Sequence, residues 1–156
     1  AVNFNSPGQV VIAGHTGAVE QAIAKLKEAG AKRAMPLPVS APFHTQLMKP
    51  AGERLADAVA GIAVSSPEIP VVHNVHAAPE HDPQRIRELM VEQIYSPVQW
   101  TRCVETIAKS GAVNIVECGP GKVLSGLARR IDKSLQCFSL EEPDDMVATL
   151  AALGDQ

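Results

Sequence analysis

The sequence predicts a mixed α/β fold in two parts that meet near Ser40. Before that residue, two short strands, a helix and a further strand make up an incomplete α+β sandwich. After it, helical periodicity alternates with short apolar strands, which is typical of a parallel sheet covered by helices. With 156 residues, of which 46% are hydrophobic, the chain is long enough to bury one core.

The first part opens with a predicted β-hairpin followed by a helix. A turn at residues 5–8, Asn-Ser-Pro-Gly, separates the apolar residues 2–4 from the strand-like residues 9–13. Thr16 is the expected N-cap of the helix, and Gly30 is its expected stop. Apolar residues at helical spacing between them predict that one face of this helix packs on the hairpin.

Residues 33–39 predict the last strand of the first part. Apolar side chains alternate along this segment, which favours a strand. Pro36 and Pro38, however, lack the amide hydrogen that a sheet ladder needs. We therefore expect a strand that lies at the edge of the sheet or leaves it.

The second part is predicted to alternate helices and strands. A helix is expected over residues 47–62, where Pro50 is tolerated because it falls in the first turns. Two further helices begin at a proline after an N-cap residue, one after Asp82 and one after Ser96. These two helices are expected at residues 83–94 and 97–110. The strands are expected at residues 70–75, 114–118 and 136–140, and the last two helices at residues 123–131 and 144–153.

The composition disfavours two classes of partner. The net charge is −3 and the pI is near 5.9, whereas nucleic-acid binding relies on a basic surface. No apolar stretch approaches the roughly 20 residues that cross a bilayer.

Three cysteines without disulfide or metal spacing fit a reducing compartment. We therefore expect a soluble cytoplasmic protein that binds neither nucleic acid nor membrane.

His44 is the strongest candidate for a functional residue. It follows an apolar strand and precedes a helix, and α/β sheets bind ligands above the ends of their strands. From position alone, a histidine that only caps the following helix is an equal alternative.

Three stretches that occur in a fixed order favour a functional histidine. They are residues 3–14 (Asn-Phe-Asn-Ser-Pro-Gly-Gln-Val-Val-Ile-Ala-Gly), 40–44 (Ser-Ala-Pro-Phe-His) and 117–124 (Glu-Cys-Gly-Pro-Gly-Lys-Val-Leu). Together they resemble the malonyl-CoA:acyl carrier protein transacylases of fatty acid synthesis. The likeness covers essentially the whole chain, but only the C-terminal half of that family.

The resemblance implies a fold with two subdomains. Residues 1–39 resemble the last part of a small ferredoxin-like α+β insert. Residues 40–156 resemble the C-terminal part of a larger hydrolase-like α/β subdomain. This division agrees with the boundary that the pattern of strands and helices predicts.

The resemblance also implies a reaction and its base. In the family, a serine takes the malonyl group from coenzyme A and passes it to the phosphopantetheine thiol of acyl carrier protein. His44 resembles the histidine base, and Gln93 resembles the residue whose main-chain carbonyl holds that imidazole. For Gln93, an ordinary surface amide is the alternative.

One part of the family pattern is absent from the sequence. It contains no Gly-x-Ser-x-Gly nucleophile motif, and the arginine that binds the malonyl carboxylate in the family lies upstream of the matched region. We therefore expect the chain to need the N-terminal half of the same enzyme and to be inactive alone. No cofactor is expected, since the coenzyme A thioester is the substrate.

Further residues resemble substrate contacts of the family. Asn3 and Asn5 resemble polar positions of the substrate cleft, with turn-forming asparagines as the alternative. Arg33 resembles a contact to the coenzyme A phosphates. Phe43 is expected to narrow the acyl pocket so that malonyl is accepted and methylmalonyl is not.

Arg129 and Arg130 resemble the basic patch that meets the acidic carrier protein. A module that only docks the carrier protein would keep these arginines without needing His44. This non-catalytic alternative stays open.

Cys118 offers a different chemistry. It follows a strand and precedes a helix N-terminus, where the helix dipole favours a thiolate. An acyltransferase or hydrolase that uses Cys118 with His44 is therefore a second alternative, although a buried apolar cysteine is commoner.

A histidine-rich segment also invites a metal hypothesis. Its candidate ligands are His73, His76, Glu80 and His81. Their spacing on a loop gives no regular ligand geometry, so we expect a solvated loop and no metal site.

Overall fold

The elements of this chain pair into three small sheets rather than one large one. The computed structural model describes residues 1–154 and contains, within them, six α-helices, one 3-10 helix and three two-stranded sheets. In chain order the elements are β1 (Asn3–Ser6), β2 (Gln9–Val11), α1 (Thr16–Glu28), a 3-10 helix (Gln46–Met48), α2 (Lys49–Ala60), β3 (Val72–His73), β4 (Ala78–Pro79), α3 (Pro83–Glu92), α4 (Trp100–Lys109), β5 (Asn114–Glu117), α5 (Val123–Ile131), β6 (Gln136–Ser139) and α6 (Pro143–Gly154).

The first hairpin is confirmed. Strands β1 and β2 pair antiparallel, with Asn3 opposite Val11 and Phe4 opposite Val10. Gly8 closes the turn with a φ of +76°, a conformation that glycine adopts without the steric cost of a Cβ atom.

Helix α1 has the expected position but not the expected packing. The residue that caps it is His15 rather than Thr16, which is the first residue of the helix. Gly30, with a φ of +88°, follows its end as expected. None of its residues is fully buried: Val19, Ala22 and Ile23 are half-buried and Leu26 is exposed, so the apolar face is only partly covered.

The edge strand predicted at residues 33–39 is not formed. This segment is irregular, and the Val39 amide donates to the nearby Leu37 carbonyl at 2.8 Å in a tight local turn. Pro36 and Pro38 provide no amide donors for a ladder, and no strand pairs with the segment within residues 1–154.

The region after α2 forms a second hairpin. Strand β3 is only two residues long and pairs antiparallel with β4, a strand that the sequence pattern does not predict. In the turn between them, Ala77 has a φ of +57°, and the His76 Nδ1 accepts from the Ala78 amide at 3.2 Å. Among the strands predicted after Ser40, β5 and β6 are the two that pair in parallel within residues 1–154.

Helix α4 begins later than the sequence predicts. Its first residue is Trp100, not the proline that follows Ser96. The intervening Val98 pairs with β1 instead: its amide donates to the Val2 carbonyl at 2.8 Å, and its carbonyl accepts from the Phe4 amide at 3.0 Å. The Val98 carbonyl is therefore already used as an acceptor that a helix beginning at Pro97 would need for an amide one turn later.

The buried core lies between the parallel pair and the helices α4 and α5. Its members are Val104, Ala128, Leu135 and Cys137, with Trp100, Ala108, Ile115 and Ile131 packed against them. Burying each large aliphatic side chain contributes roughly 1.5–3 kcal/mol. Two hydroxyl groups of α4 extend this core to the hairpins: Thr101 donates to the Phe4 carbonyl at 2.9 Å and Thr106 to the Ala77 carbonyl at 2.8 Å.

Helices α2 and α3 pack side by side and bring two distant segments together. Gly52 of α2 is buried against the ring of Tyr95, and a Cβ atom there would lie 2.8 Å from two ring carbons. The Arg87 guanidinium of α3 donates to the Ile62 carbonyl at 3.1 Å beyond the end of α2. The loop before α2 and the segment after α3 are thereby held next to each other.

No helix within residues 1–154 combines the length and apolar character required to span a membrane.

The cap of α3 gives a first testable prediction. The Asp82 carboxylate accepts from the amides of Gln84 at 3.1 Å and Arg85 at 3.3 Å, as the sequence predicts. Replacing Asp82 with Ala should lower the free energy of unfolding in urea by about 1 kcal/mol, since two helix amides lose their acceptor.

The matched control is Asp57→Ala, at an exposed position of α2. It should change the free energy of unfolding by less than about 0.5 kcal/mol. Equal effects of the two substitutions would show that the loss of a carboxylate, rather than of a cap, is responsible.

Candidate active site

His44 lies in a strained backbone conformation just before the 3-10 helix. Its φ is +61°, in the left-handed region that residues other than glycine rarely adopt. Thr45 holds the loop around it: the hydroxyl donates to the Pro42 carbonyl at 2.7 Å and accepts from the Leu47 amide at 3.3 Å. Such strain persists where surrounding contacts fix it, and it is concentrated at functional sites.

The His44 ring is held by the end of helix α3. Its Nδ1 lies 2.9 Å from the main-chain carbonyl oxygen of Gln93, the C-cap residue of that helix. Because a carbonyl oxygen only accepts, Nδ1 donates the hydrogen, and Nε2 of the neutral ring keeps a free lone pair. The acceptor is one of the carbonyl groups that the C-terminal end of a helix leaves without an intrahelical partner.

The side chain of Gln93 takes no part in this contact. Its Nε2 donates back to the Met90 carbonyl at 3.2 Å, and the residue is exposed. A surface amide therefore describes the side chain correctly, while the main-chain oxygen of the same residue meets His44.

An open cleft of about 230 Å³ lies beside the imidazole. Its lining residues are Ala1, Val2, Ala13, His44, Thr45, Gln46, Tyr95 and Pro97. The ring of His44 is thus not enclosed by packed side chains. Asn3 and Phe43 are adjacent in the chain to lining residues and Asn5 lies two residues beyond Asn3, but none of the three lines the cleft within residues 1–154.

Arg33 is not brought to this cleft either. It lies exposed in the irregular segment before Ser40, and its Nε donates to the Met35 sulfur at 3.1 Å.

The two arginines of α5 are exposed, yet each makes an internal hydrogen bond. Arg129 donates to the Cys137 carbonyl of β6 at 2.6 Å. Arg130 donates to the Gln9 side-chain oxygen of β2 at 3.1 Å. Both guanidinium groups therefore join α5 to a neighbouring strand, besides offering charge to the solvent.

Cys118 is exposed after β5 and does not line the cleft beside His44 among the described residues.

The histidine-rich segment does not gather metal ligands. Nowhere in residues 1–154 do three or more histidine, cysteine or acidic side chains come together in a way that could hold a metal ion. His73 and His76 meet edge to face, with ring centroids 5.9 Å apart. Burial, and then the charge of His76, lower the pKa of His73, which favours a neutral imidazole there.

Glu117 is a structural residue that the sequence analysis did not single out. Its carboxylate caps α5, accepting from the Leu124 amide at 3.0 Å and the Ser125 amide at 2.8 Å. Burial opposes ionisation of this carboxyl, but the bonds from Ser125 and Leu124 prevail and hold its pKa below the usual range. An acidic residue between a strand and a Gly-rich turn that leads into a helix was the available signal.

Comparisons with known proteins place these features in a family. The acyl transferase domain family matches residues 1–145. The chain is 56% identical over 149 residues to the malonyl CoA-acyl carrier protein transacylase of Salmonella typhimurium, a match that covers 96% of this chain and 48% of the relative. The chain spans about half the length of the curated relatives it matches.

Solved structures give the same result for the fold. The malonyl-CoA:acyl carrier protein transacylase of Xanthomonas oryzae pv. oryzae superposes with a TM-score of 0.93 at 51% identity, covering 97% of this chain and 48% of that one. A malonyl-transacylase in complex with a type II polyketide synthase acyl carrier protein superposes with a TM-score of 0.94 at 47% identity, covering 97% and 49%. The mixed α/β fold is therefore confirmed.

The contact with a main-chain oxygen generates a prediction about Gln93. Replacing it with Ala removes the side chain and keeps the carbonyl, so His44 should remain protonated on Nδ1. Nitrogen-15 NMR of the imidazole rings in the labelled chain measures this tautomer.

His15 provides an internal reference in the same spectrum, because it is exposed and its ring makes no hydrogen bond within residues 1–154. A shift of the His44 proton to Nε2 in the Gln93→Ala chain would show that the side chain is needed.

Proposed function

Because this chain belongs to the acyl transferase domain family, we propose that it forms the general-base half of a malonyl-CoA:acyl carrier protein transacylase of fatty acid synthesis. The observation that carries the proposal is the 2.9 Å bond from His44 Nδ1 to the Gln93 carbonyl, beside an open cleft. Polypeptide outside residues 1–156 provides the serine nucleophile, since no Gly-x-Ser-x-Gly occurs within them.

The proposal includes a division into subdomains. Residues 1–39 are part of the ferredoxin-like α+β subdomain, and residues 40–156 are the C-terminal part of the hydrolase-like α/β subdomain. The antiparallel hairpin and α1 before Ser40, and the parallel pair with its helices after it, support this division.

In the first half-reaction, Nε2 of His44 takes the proton of the serine hydroxyl as its oxygen attacks the malonyl thioester carbon. The tetrahedral intermediate collapses, the carbon–sulfur bond breaks, and coenzyme A leaves as a thiolate. The imidazolium then returns the proton to that sulfur. A malonyl-serine ester and free coenzyme A result, and the Gln93 carbonyl stabilises the imidazolium between the two transfers.

The second half-reaction repeats these steps in reverse order with a different thiol. The phosphopantetheine thiol of acyl carrier protein gives its proton to Nε2 and attacks the ester, and the serine oxygen leaves with that proton. A histidine suits both directions because its pKa lies close to neutral pH in water. No cofactor takes part, because the acyl group arrives already activated as the coenzyme A thioester.

The remaining contacts are proposals of the same kind. Asn3, Asn5 and Phe43 contact the acyl group and Arg33 the coenzyme A phosphates. Phe43 and Arg33 are exposed and Asn3 and Asn5 are half-buried, which leaves all four at least partly accessible to a substrate.

Replacing His44 tests the central claim. In a chimaera in which this chain substitutes for the segment it matches in the Salmonella transacylase, His44→Ala should lower malonyl transfer about 100- to 10,000-fold, because general base catalysis is lost. The assay follows malonyl transfer from malonyl-CoA to acyl carrier protein.

The control for this test is His15→Ala, at an exposed position outside the cleft, which should transfer malonyl like the unmodified chimaera. Retention of activity within about threefold in a folded His44→Ala chimaera would refute the base and favour a non-catalytic carrier-protein module.

Charge reversal at Arg130 tests docking of the carrier protein. Arg130→Glu should raise the Kd for acyl carrier protein and weaken its salt dependence, since an attraction becomes a repulsion. Binding to the chimaera is measured at two or more salt concentrations.

Gln9→Ala is the matched control, because it breaks the same internal hydrogen bond and leaves the arginine charge in place. If both substitutions weaken binding equally, the internal bond rather than the charge is responsible, and the docking assignment is wrong.

A further inference from the structure

We propose that Gln46 is a positioning residue that fixes the orientation of the His44 ring; this inference rests on the proposed role of His44 as the base. The side-chain amide of Gln46 donates to the main-chain carbonyl of Tyr95 at 3.3 Å. Gln46 also lines the cleft beside His44.

Two parallel bonds join the same pair of segments. His44 bonds to the carbonyl of Gln93, and Gln46 bonds to the carbonyl of Tyr95. The two side chains and the two carbonyls are each two residues apart in the chain. A single bond leaves the loop free to rotate about that contact. A second bond at this spacing removes the rotation and sets the direction in which Nε2 points.

The strain at His44 makes this second bond necessary. The φ of His44 is +61°, so a change to a negative φ would lower the conformational free energy of the residue. Such a change would swing the ring away from Gln93. Thr45 fixes the loop only to its own neighbours, Pro42 and Leu47. Gln46 is the side chain that ties the following turn across to the segment after α3.

The acceptor of this bond is itself held in place. The Tyr95 ring packs directly on Gly52 of α2, and the Tyr95 amide donates to the Glu92 carbonyl at 3.2 Å. Because the acceptor is already ordered by this packing, the bond from Gln46 restricts the loop and not the acceptor.

The experiment uses the chimaera described above. Gln46→Ala should lower kcat for malonyl transfer about three- to tenfold, as loss of one hydrogen bond does, while KM for malonyl-CoA stays within about twofold. Gln46→Glu has the same size but no donor at neutral pH, so it should lose at least as much activity. In the nitrogen-15 spectrum of both variants, the two His44 ring nitrogens should move towards equal shifts, as two tautomers mix.

Gln84→Ala is the matched control, since that side chain donates to Glu88 on the exposed face of α3, and it should leave kcat and the tautomer unchanged. A wild-type kcat and tautomer in Gln46→Glu would overturn the proposal. A raised KM with unchanged kcat would also overturn it, because it would make Gln46 a substrate contact. His44→Ala separates the two hypotheses: if it is inactive while both Gln46 variants behave as wild type, only the role of Gln46 fails.

Discussion

The hydrogen bond between the His44 ring and the Gln93 carbonyl is the interaction on which the candidate site depends. It joins residues 49 positions apart, and no local preference of either segment produces it. What produces it is the packing of α2 against α3, where a glycine lets the Tyr95 ring approach the backbone closely. The position of the His44 imidazole is thus decided by a helix interface outside the loop that carries it.

Helix ends provide hydrogen-bonding groups both at the candidate site and at the β5–β6 sheet. The C-terminal end of α3 offers a carbonyl oxygen to the Nδ1 hydrogen of His44, and the N-terminal end of α5 offers amides to the Glu117 carboxylate. At α5 the negative charge of the carboxylate matches the sign of the helix dipole. Groups that every helix leaves unpaired therefore serve as fixed acceptors and donors.

The arginines of α5 show how one side chain serves structure and charge together. A guanidinium has five donors, so a bond to Cys137 or Gln9 leaves others directed to solvent. An effect of charge reversal is therefore informative only beside a variant that breaks the internal bond alone. The same reasoning applies to Gln93, whose main-chain oxygen and side chain have separate partners.

The sequence by itself determined the elements whose signals are local, such as the Gly8 turn, the Asp82 cap of α3 and the α5 helix after its Gly-rich turn. Its resemblance to a family also pointed to His44. Only the tertiary structure decided that Val98 pairs with β1 rather than starting a helix, that α1 buries no residue, and that a main-chain oxygen orients the imidazole. The physical reason is that caps and turns are satisfied by neighbours in the chain, whereas ladders and helix packing depend on distant partners. A backbone carbonyl is also the same in every residue, so its use leaves no mark on the amino-acid sequence.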